Sequence, residues 1–494
     1  MLDDLFRRAL ERHPDATALT DPPNRESFTD GAPRRLTWAE ADRAITAIAA
    51  RLTGLGLPAD AIVALQLPNT VESVIALLGV LRAGMIAAPL PLLWRQAEAT
   101  EALGRIGARA ILTCRRVGPI DHGDIAMHVA AETFSVRFVC AFGDGALDGV
   151  VALDDVFEAA PGAMPAPARV GDPAAHVAIV TFDVLADGIV PVARNHDELI
   201  AGGLAVALEG RVGRDTTILG ALTTSSFAGL ATTIVPWLMS GGTLTLHQPF
   251  DPSVLAAQCA DGGMIAVLPG PLAARLAEAG LIGGVRSVIA IWRAPERLVG
   301  AEPWTGPGGL IDVLPFGEIG LVAARRDAGG KPSAIALGPI TAPRGKAGAP
   351  VILDIARSAA GTLALAGTMV PRRPFPPGAE RSDHPHLKAG ADGFVDTGYA
   401  CRLDLAGLIN IDAPPPGTVT VGGYRFVLKE LQDYLAHIAE GSTVAALPDA
   451  IAGQRLAGVA ADREAIRATL AALGANPLVV AAFRERRGDR ASAA

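Results

Sequence analysis

Lysine is nearly missing from this chain. Of 494 residues, 43 are lysine or arginine, yet only Lys331, Lys346, Lys388 and Lys429 are lysine. A compact ammonium for chemistry therefore has few sources, and none lies beyond residue 429. Cysteine is as scarce. Cys114, Cys140, Cys259 and Cys401 share no short spacing, which excludes a disulfide framework and a cysteine zinc site and suits a reducing cytosol. No basic run occurs, and 43 basic against 51 acidic residues gives a formal net charge of −8, so nucleic-acid binding through net charge is excluded. Long apolar runs are also missing: 71–81 and 230–246 are interrupted before the roughly 18 residues a membrane helix needs. The segment 1–8 mixes acid and base without the apolar core of a secretory signal. These absences predict a cytoplasmic protein with no membrane span and no nucleic-acid partner.

What the chain has instead is alternation. Its length fits two to four domains, and an apolar content of 50% allows strands buried on both faces. Thr37 and Glu40 have capping-box spacing, and Trp38, Ile45, Ile48, Leu52 and Leu55 form a helical stripe that ends at Gly56. A buried strand is predicted over 61–67, a helix from Val71 closed by Gly84, and a strand over 85–90. The same order recurs, with strands over 176–182, 216–222, 243–247, 264–268 and 286–292 and helices over 196–208, 226–240, 252–260 and 272–279. The pattern predicts an α/β protein whose large N-terminal domain, 1–411, holds two helix-covered, mostly parallel sheets.

From about 345 the segments become short and rich in Gly and Pro, which predicts a small β subdomain at the end of that domain. Pro414-Pro415-Pro416 marks a stiff hinge over 412–417. The block 418–483 predicts a small α+β C-terminal domain, with a helix over 427–439, strands over 443–447 and 456–460, a helix over 462–473 and a strand over 477–483. The tail 484–494, charged and then Ala/Ser-rich, predicts disorder.

Several stretches carry a resemblance. LTWAEADRAITAIAARLTGLGL (36–57), IVALQLPNTVESVIALLGVLRAGMIAAPLPLLW (62–94) and ALGRIGARAILT (102–113) look like the opening of the adenylate-forming enzymes. That superfamily contains acyl-CoA synthetases, nonribosomal-peptide adenylation domains and luciferases. Further matches follow in order: ATTIVPWLMSGGTLTLHQPFDPSVL (231–255), FGEIGLVAARR (316–326), GFVDTGYACRLDLAGLINI (393–411) and VGGYRFVLKELQDYL (421–435). The resemblance is nearest to acyl-CoA ligases. It implies a two-step ligase in which a carboxylate attacks the α-phosphorus of ATP and a thiol then displaces AMP. It also implies ATP with magnesium and CoA as cofactors, and a small carboxylic acid or acyl thioester as ligand. A carrier protein or partner enzyme is the implied protein partner.

Against this pattern the nucleotide motifs depart. The family's triphosphate loop reads roughly Tyr-Thr-Ser-Gly-Thr-Thr-Gly-x-Pro-Lys-Gly, with a His five residues on. Here 181–196, TFDVLADGIVPVARNH, falls on it. Val184, Asp187 and Pro191 stand where glycines belong, Val190 where the lysine belongs, and Phe182 and Asp183 where hydroxyls belong; His196 is kept. Val184, Ile189, Val190 and Val192 predict a packed β-hairpin instead. Asp183 and Asp187 would each place a like charge beside phosphates, at about 4 kcal/mol per pair at ~4 Å and effective dielectric ~20.

The magnesium carboxylate of the family falls on Glu318, with Gly317 replacing a threonine; a second register, matching Phe316-Gly317, puts Gly320 there. Tyr399 stands where the ribose aspartate belongs, and a phenol cannot accept two hydrogen bonds as a carboxylate does. Asp404 matches an acidic residue before the hinge and also suits a turn. The hinge arginine and lysine are absent, as is the terminal lysine; Arg484, Arg486, Arg487 and Arg490 are the cations of that region. On the acyl and thiol side, Ser225 or Ser226 takes the place of the family's histidine, Trp292 and Arg293 protrude where the family is small, and Gly422-Gly423 matches the turn near the thiol tunnel. Asp383, His384 and His386 read as plain loop.

Three functions remain open at this stage. The main expectation is an acyl-CoA-ligase-like protein with weak or absent adenylation that retains an acyl or acyl-thioester pocket, a pseudoenzyme. The alternatives are an active, divergent ATP-dependent acid–thiol ligase and an ATP-independent acyl transferase.

Overall fold

The computed structural model describes residues 1–484 except 146, 161, 163, 165–170 and 347. Its N-terminal body is built on two sheets that share one core. In the eight-stranded sheet the spatial order is Gly320–Arg325, Gly309–Phe316, Ser287–Ile291, Ile265–Pro269, Ile218–Gly220, Leu244–Leu246, Thr17–Thr20 and Arg35–Thr37, parallel except at the two edges. The seven-stranded sheet centres on Ile62–Gln66, Ile86–Pro89 and Ala110–Cys114, and Val177–Leu185 with Gly188–Asn195 form its antiparallel edge. The helix Val71–Arg82 is buried along all of its 12 residues. That explains its apolar circumference, since neither face meets water. The capping box at Thr37 forms, with its hydroxyl accepting from the Glu40 N–H. Trp38 stacks on Trp237 at 5.1 Å in the same core.

A six-stranded sheet follows, antiparallel throughout, from Ile335–Ala336 to Leu408–Ala413. It begins nearer 335 than the expected 345. The C-terminal block has a four-stranded antiparallel sheet and a core of its own around Val419, Leu435, Val444 and Phe483. One element there departs from expectation: 477–483 is not a strand but the helix Pro477–Ala482. The Val-Val pair suggested a strand, but Asn476 accepts from the Leu478 N–H as N-cap and Pro477 opens the first turn, which fixes helical geometry. Of the tail, only Arg484 is among the described residues. No helix among the described residues is long and apolar enough to cross a membrane.

The segment expected to depart from the triphosphate loop is a hairpin. Thr181 pairs with Val192 and the ladder runs to Leu185 opposite Gly188, leaving only Ala186 and Asp187 as the turn. Val190 and Val192 are buried, and Phe182 and Ile189 join a core beneath the sheet.

Candidate functional site

Segments from several strands and turns meet where the C-terminal sheet faces the N-terminal body. They enclose a cavity of about 260 Å³ lined in part by Trp94, Phe182, Asp183, Ser225, Ser226, Arg293, Gly317, Glu318, Tyr399, Gly422, Gly423, Tyr424 and Arg425. The hairpin supplies Phe182 and Asp183, and the turn after Gly309–Phe316 supplies Gly317 and Glu318. The helix that starts at Phe227 supplies Ser225 and Ser226 just before its first turn. That helix contains a π-helical segment, Leu230–Ile234, a local widening common near functional sites.

Asp183 sits at the centre of the charge network. Its carboxylate accepts from the Glu318 N–H at 2.8 Å, the Val184 N–H at 2.9 Å and Arg425 Nη1 at 2.6 Å. Arg425 also donates to the Tyr399 hydroxyl, and its guanidinium lies over the Tyr399 ring. Gly317 has φ 59°, and a Cβ there would run into the Asp183 carboxylate, so the turn can approach only as glycine. Burial works against the Arg425 charge, yet Asp183 and then Tyr399 hold its pKa above the ordinary arginine value. The Tyr399 hydroxyl is pushed up by burial.

Glu318 is buried rather than solvated. Its Oε2 accepts from the Phe227 N–H at 2.6 Å, and burial, with Asp183 adding to it, raises its pKa although Arg194 opposes the shift. Arg194 donates to the Glu318 and Ile319 carbonyls and lies 3.9 Å from the Phe227 ring centre; burial lowers its pKa to about 10. Arg293 donates to the Ser226 hydroxyl at 2.7 Å and packs against Gly423. Burial lowers the Arg293 pKa as well. No carboxylate pairs with Arg293 among the described residues, so the cavity keeps one cation without a bonded counter-ion.

The cavity thus gathers Gly317, Glu318, Tyr399, Ser225, Ser226, Arg293, Gly422 and Gly423 from the expected set. Three expected residues do not line it. His196 opens its helix beside the N-terminus, where Nδ1 accepts from the Leu2 N–H at 3.3 Å. Asp404 holds an exposed turn through the Ala406 and Leu408 N–H groups. Trp292 does not protrude: it packs against Gly270 and donates to Asp312 at 2.8 Å.

Two participants were not singled out in the sequence, Arg425 and Arg194. Each is a charged residue in an otherwise apolar strand, as Asp183 is, and that misplacement is the signal that could have found them. The expected electrostatic effect of Asp183 changes form too. It is not a bare charge, because Arg425 neutralises it.

Residues 6–174 match the AMP-binding enzyme family. A salicylyl-CoA synthase / salicylate adenylyltransferase from Streptomyces sp is 26% identical over 89% of this chain and 83% of its own length. The 3-[(3aS,4S,7aS)-7a-methyl-1,5-dioxo-octahydro-1H-inden-4-yl]propanoyl:CoA ligase of Mycobacterium tuberculosis is 30% identical over 53% of the chain. The chain spans only 50% of that ligase, and 3% of a beauvericin nonribosomal cyclodepsipeptide synthetase from Gibberella fujikuroi that it also matches. Among solved structures, the amide bond synthetase McbA from Marinactinospora thermotolerans superposes with a TM-score of 0.67 at 18% identity, over 94% of this chain and 92% of that one. ATP-bound MatB from Rhodopseudomonas palustris gives 0.62 at 19% identity, over 93% and 88%. Residues 6–174 therefore resemble the AMP-binding enzymes in sequence, and the two-sheet body with its appended α+β unit shares the fold of McbA and MatB along nearly the whole chain.

Proposed function

We propose that this protein holds a small carboxylic acid or its thioester between an N-terminal domain, 1–411, and a C-terminal domain, 418–483, in the cytoplasm, without adenylating it. The observation that carries the reading is Asp183, which engages the Glu318 amide and Arg425, the donors an incoming polyphosphate would need. The residues present do not fit a nucleoside triphosphate. A two-residue turn offers no run of N–H donors, and the hairpin has no lysine. Tyr399 replaces a diol-binding carboxylate. Glu318, its pKa raised by burial and its Oε2 engaged by Phe227, is a poor magnesium ligand. The cavity of about 260 Å³ also falls below the roughly 300–1,000 Å³ typical of pockets for drug-sized ligands.

The aromatic walls Trp94, Phe182 and Tyr424, together with the relatives named for salicylate, favour an aromatic acid whose carboxylate meets Arg293. The Gly422-Gly423 turn at the cavity supports a thioester as well.

A second reading, an active acid–thiol ligase acting through an acyl-adenylate with CoA or a carrier protein, has its own support. The Streptomyces relative runs along most of the chain, and the fold matches an ATP-bound structure. In that reading the C-terminal sheet withdraws Arg425 and frees Asp183 and Glu318. ATP-independent acyl transfer finds less support: all four cysteines are buried, and burial pushes Cys114 and Cys140 up to about 12.

Calorimetry with Mg-ATP and pyrophosphate exchange over aryl and short-chain acids, salicylate included, separates the first two. No saturable ATP binding and no exchange is the expected result. Micromolar ATP binding with acid-dependent exchange would establish the ligase and defeat the first reading.

A further inference from the structure

Away from the crevice, a second cavity of about 270 Å³ lies among the C-terminal half of the helix His196–Gly210, the edge strand Gly320–Arg325 and the strand Gly338–Thr341. Its floor is apolar, formed by the buried Leu321, Ile352 and Met369 with half-buried Ile340, and the exposed Leu208 stands at its edge. Its rim is basic, with Arg211, Arg325 and Arg344 against a single acid, Glu209.

Glu209 is already engaged at both oxygens. Arg344 Nε bonds Oε1 at 2.8 Å and the Arg325 N–H bonds Oε2 at 2.9 Å. This neutralises Arg344 and leaves the other guanidiniums. Arg325 Nε donates to the Glu209 carbonyl at 2.9 Å, and Arg286 donates to the Arg211 carbonyl at 3.3 Å. Among the described residues no carboxylate pairs with Arg211, Arg286 or Arg325. The helix C-terminus beside them carries a partial charge of about −0.5, too little to balance three cations. Burial lowers the Arg325 pKa and the like charge of Arg211 lowers it further; Glu209 opposes the shift and Arg286 adds to it.

An unbalanced basic rim over an apolar floor has a defined complement, and the geometry points to a binding site for an anionic single-chain amphiphile, with a carboxylate or phosphate head on Arg211 and Arg325 and its alkyl chain on the floor. The site is separate from the crevice and requires neither reading of it.

Titration calorimetry with hexanoate, octanoate and decanoate below micelle formation tests the proposal, with octyl phosphate as the second head group. Affinity should rise about fourfold per added methylene until the floor is covered. Arg325→Gln and the exposed Arg211→Gln should each weaken decanoate about tenfold, whereas decanol should bind far less well. Measured in the Arg293→Gln background, which removes the crevice's carboxylate partner, decanoate should still bind and still depend on Arg325 and Arg211. No saturable binding, inorganic phosphate binding as tightly as decanoate, or loss in Arg293→Gln with none in Arg325→Gln and Arg211→Gln would overturn the site. Octyl phosphate outbinding octanoate would identify phosphate as the preferred head within the same site.

Discussion

Two buried acid–arginine clusters in this molecule use the same chemistry for different ends. In the N-terminal body Arg25 bonds Asp21 at 2.6 Å and Glu72 at 2.7 Å, and Asp21 also accepts the Val71 N–H that opens the buried helix Val71–Arg82. All of these groups belong to one packed body. In the crevice Arg425 bonds Asp183 at 2.6 Å across 242 residues of sequence, from the C-terminal sheet to the hairpin. Desolvation makes either pair costly to break, but only the second can be separated by moving one unit off another. The first is a fastening within a core, and the second is a latch between parts.

Removing one partner of each cluster tests that contrast, and the largest effect is expected in the body. Arg25→Ala leaves buried Asp21 without its cation and Glu72 with only Arg34 at 3.7 Å, and should cost about 3–5 kcal/mol of global stability in denaturant unfolding. Cys114 reports on the same region: burial first, with Glu72 and Asp30 adding to it, raises its pKa, so its thiol reacts only when that region opens. Its thiol should become reactive toward disulfide reagents in Arg25→Ala and stay inert in the wild type.

Arg425→Ala should cost a similar amount locally but appear differently. Unfolding of the N-terminal body stays where it was, while the C-terminal sheet separates, seen as an increased radius in solution scattering and faster proteolysis near Pro414-Pro415-Pro416. Pairing it with Asp183→Asn should restore part of the docking, since no uncompensated charge then remains. If Arg425→Ala lowers the stability of the whole chain as Arg25→Ala does, the distinction between fastening and latch is lost.

The smallest effect is a matter of pH. His122 is buried, and burial, with Arg95 adding to it, lowers its pKa to about 4 from the ordinary 6.5. Below 6.5 the unfolded chain takes a proton that the folded chain refuses until about pH 4. Stability therefore falls as pH drops through that window, by about 2 kcal/mol between pH 7 and 5. The loss should be equal in the wild type and Arg425→Ala, because His122 belongs to the body, and His122→Gln should flatten it.

The sequence made the repeating strands and helices plain because their pattern is local. The stripe from Trp38 to Leu55, the cap at Thr37 and the β-branched run at 189–192 each declare themselves within a few residues. The helix Pro477–Ala482 was hidden by its two valines, although the Asn476-Pro477 start was there to be read. Around the cavity, Glu318, Tyr399 and Gly422-Gly423 were expected from motif positions, and they line it together. Arg425 was not, because what gives it a role is Asp183, and nothing local in either strand names a partner so far away in sequence.

The hairpin bears on how anything enters the crevice. With only Ala186 and Asp187 between its paired strands, that wall has no slack to yield. A visitor whose entry requires the Arg425–Asp183 pair to part would arrive at a rate that stops rising with its concentration once it is abundant.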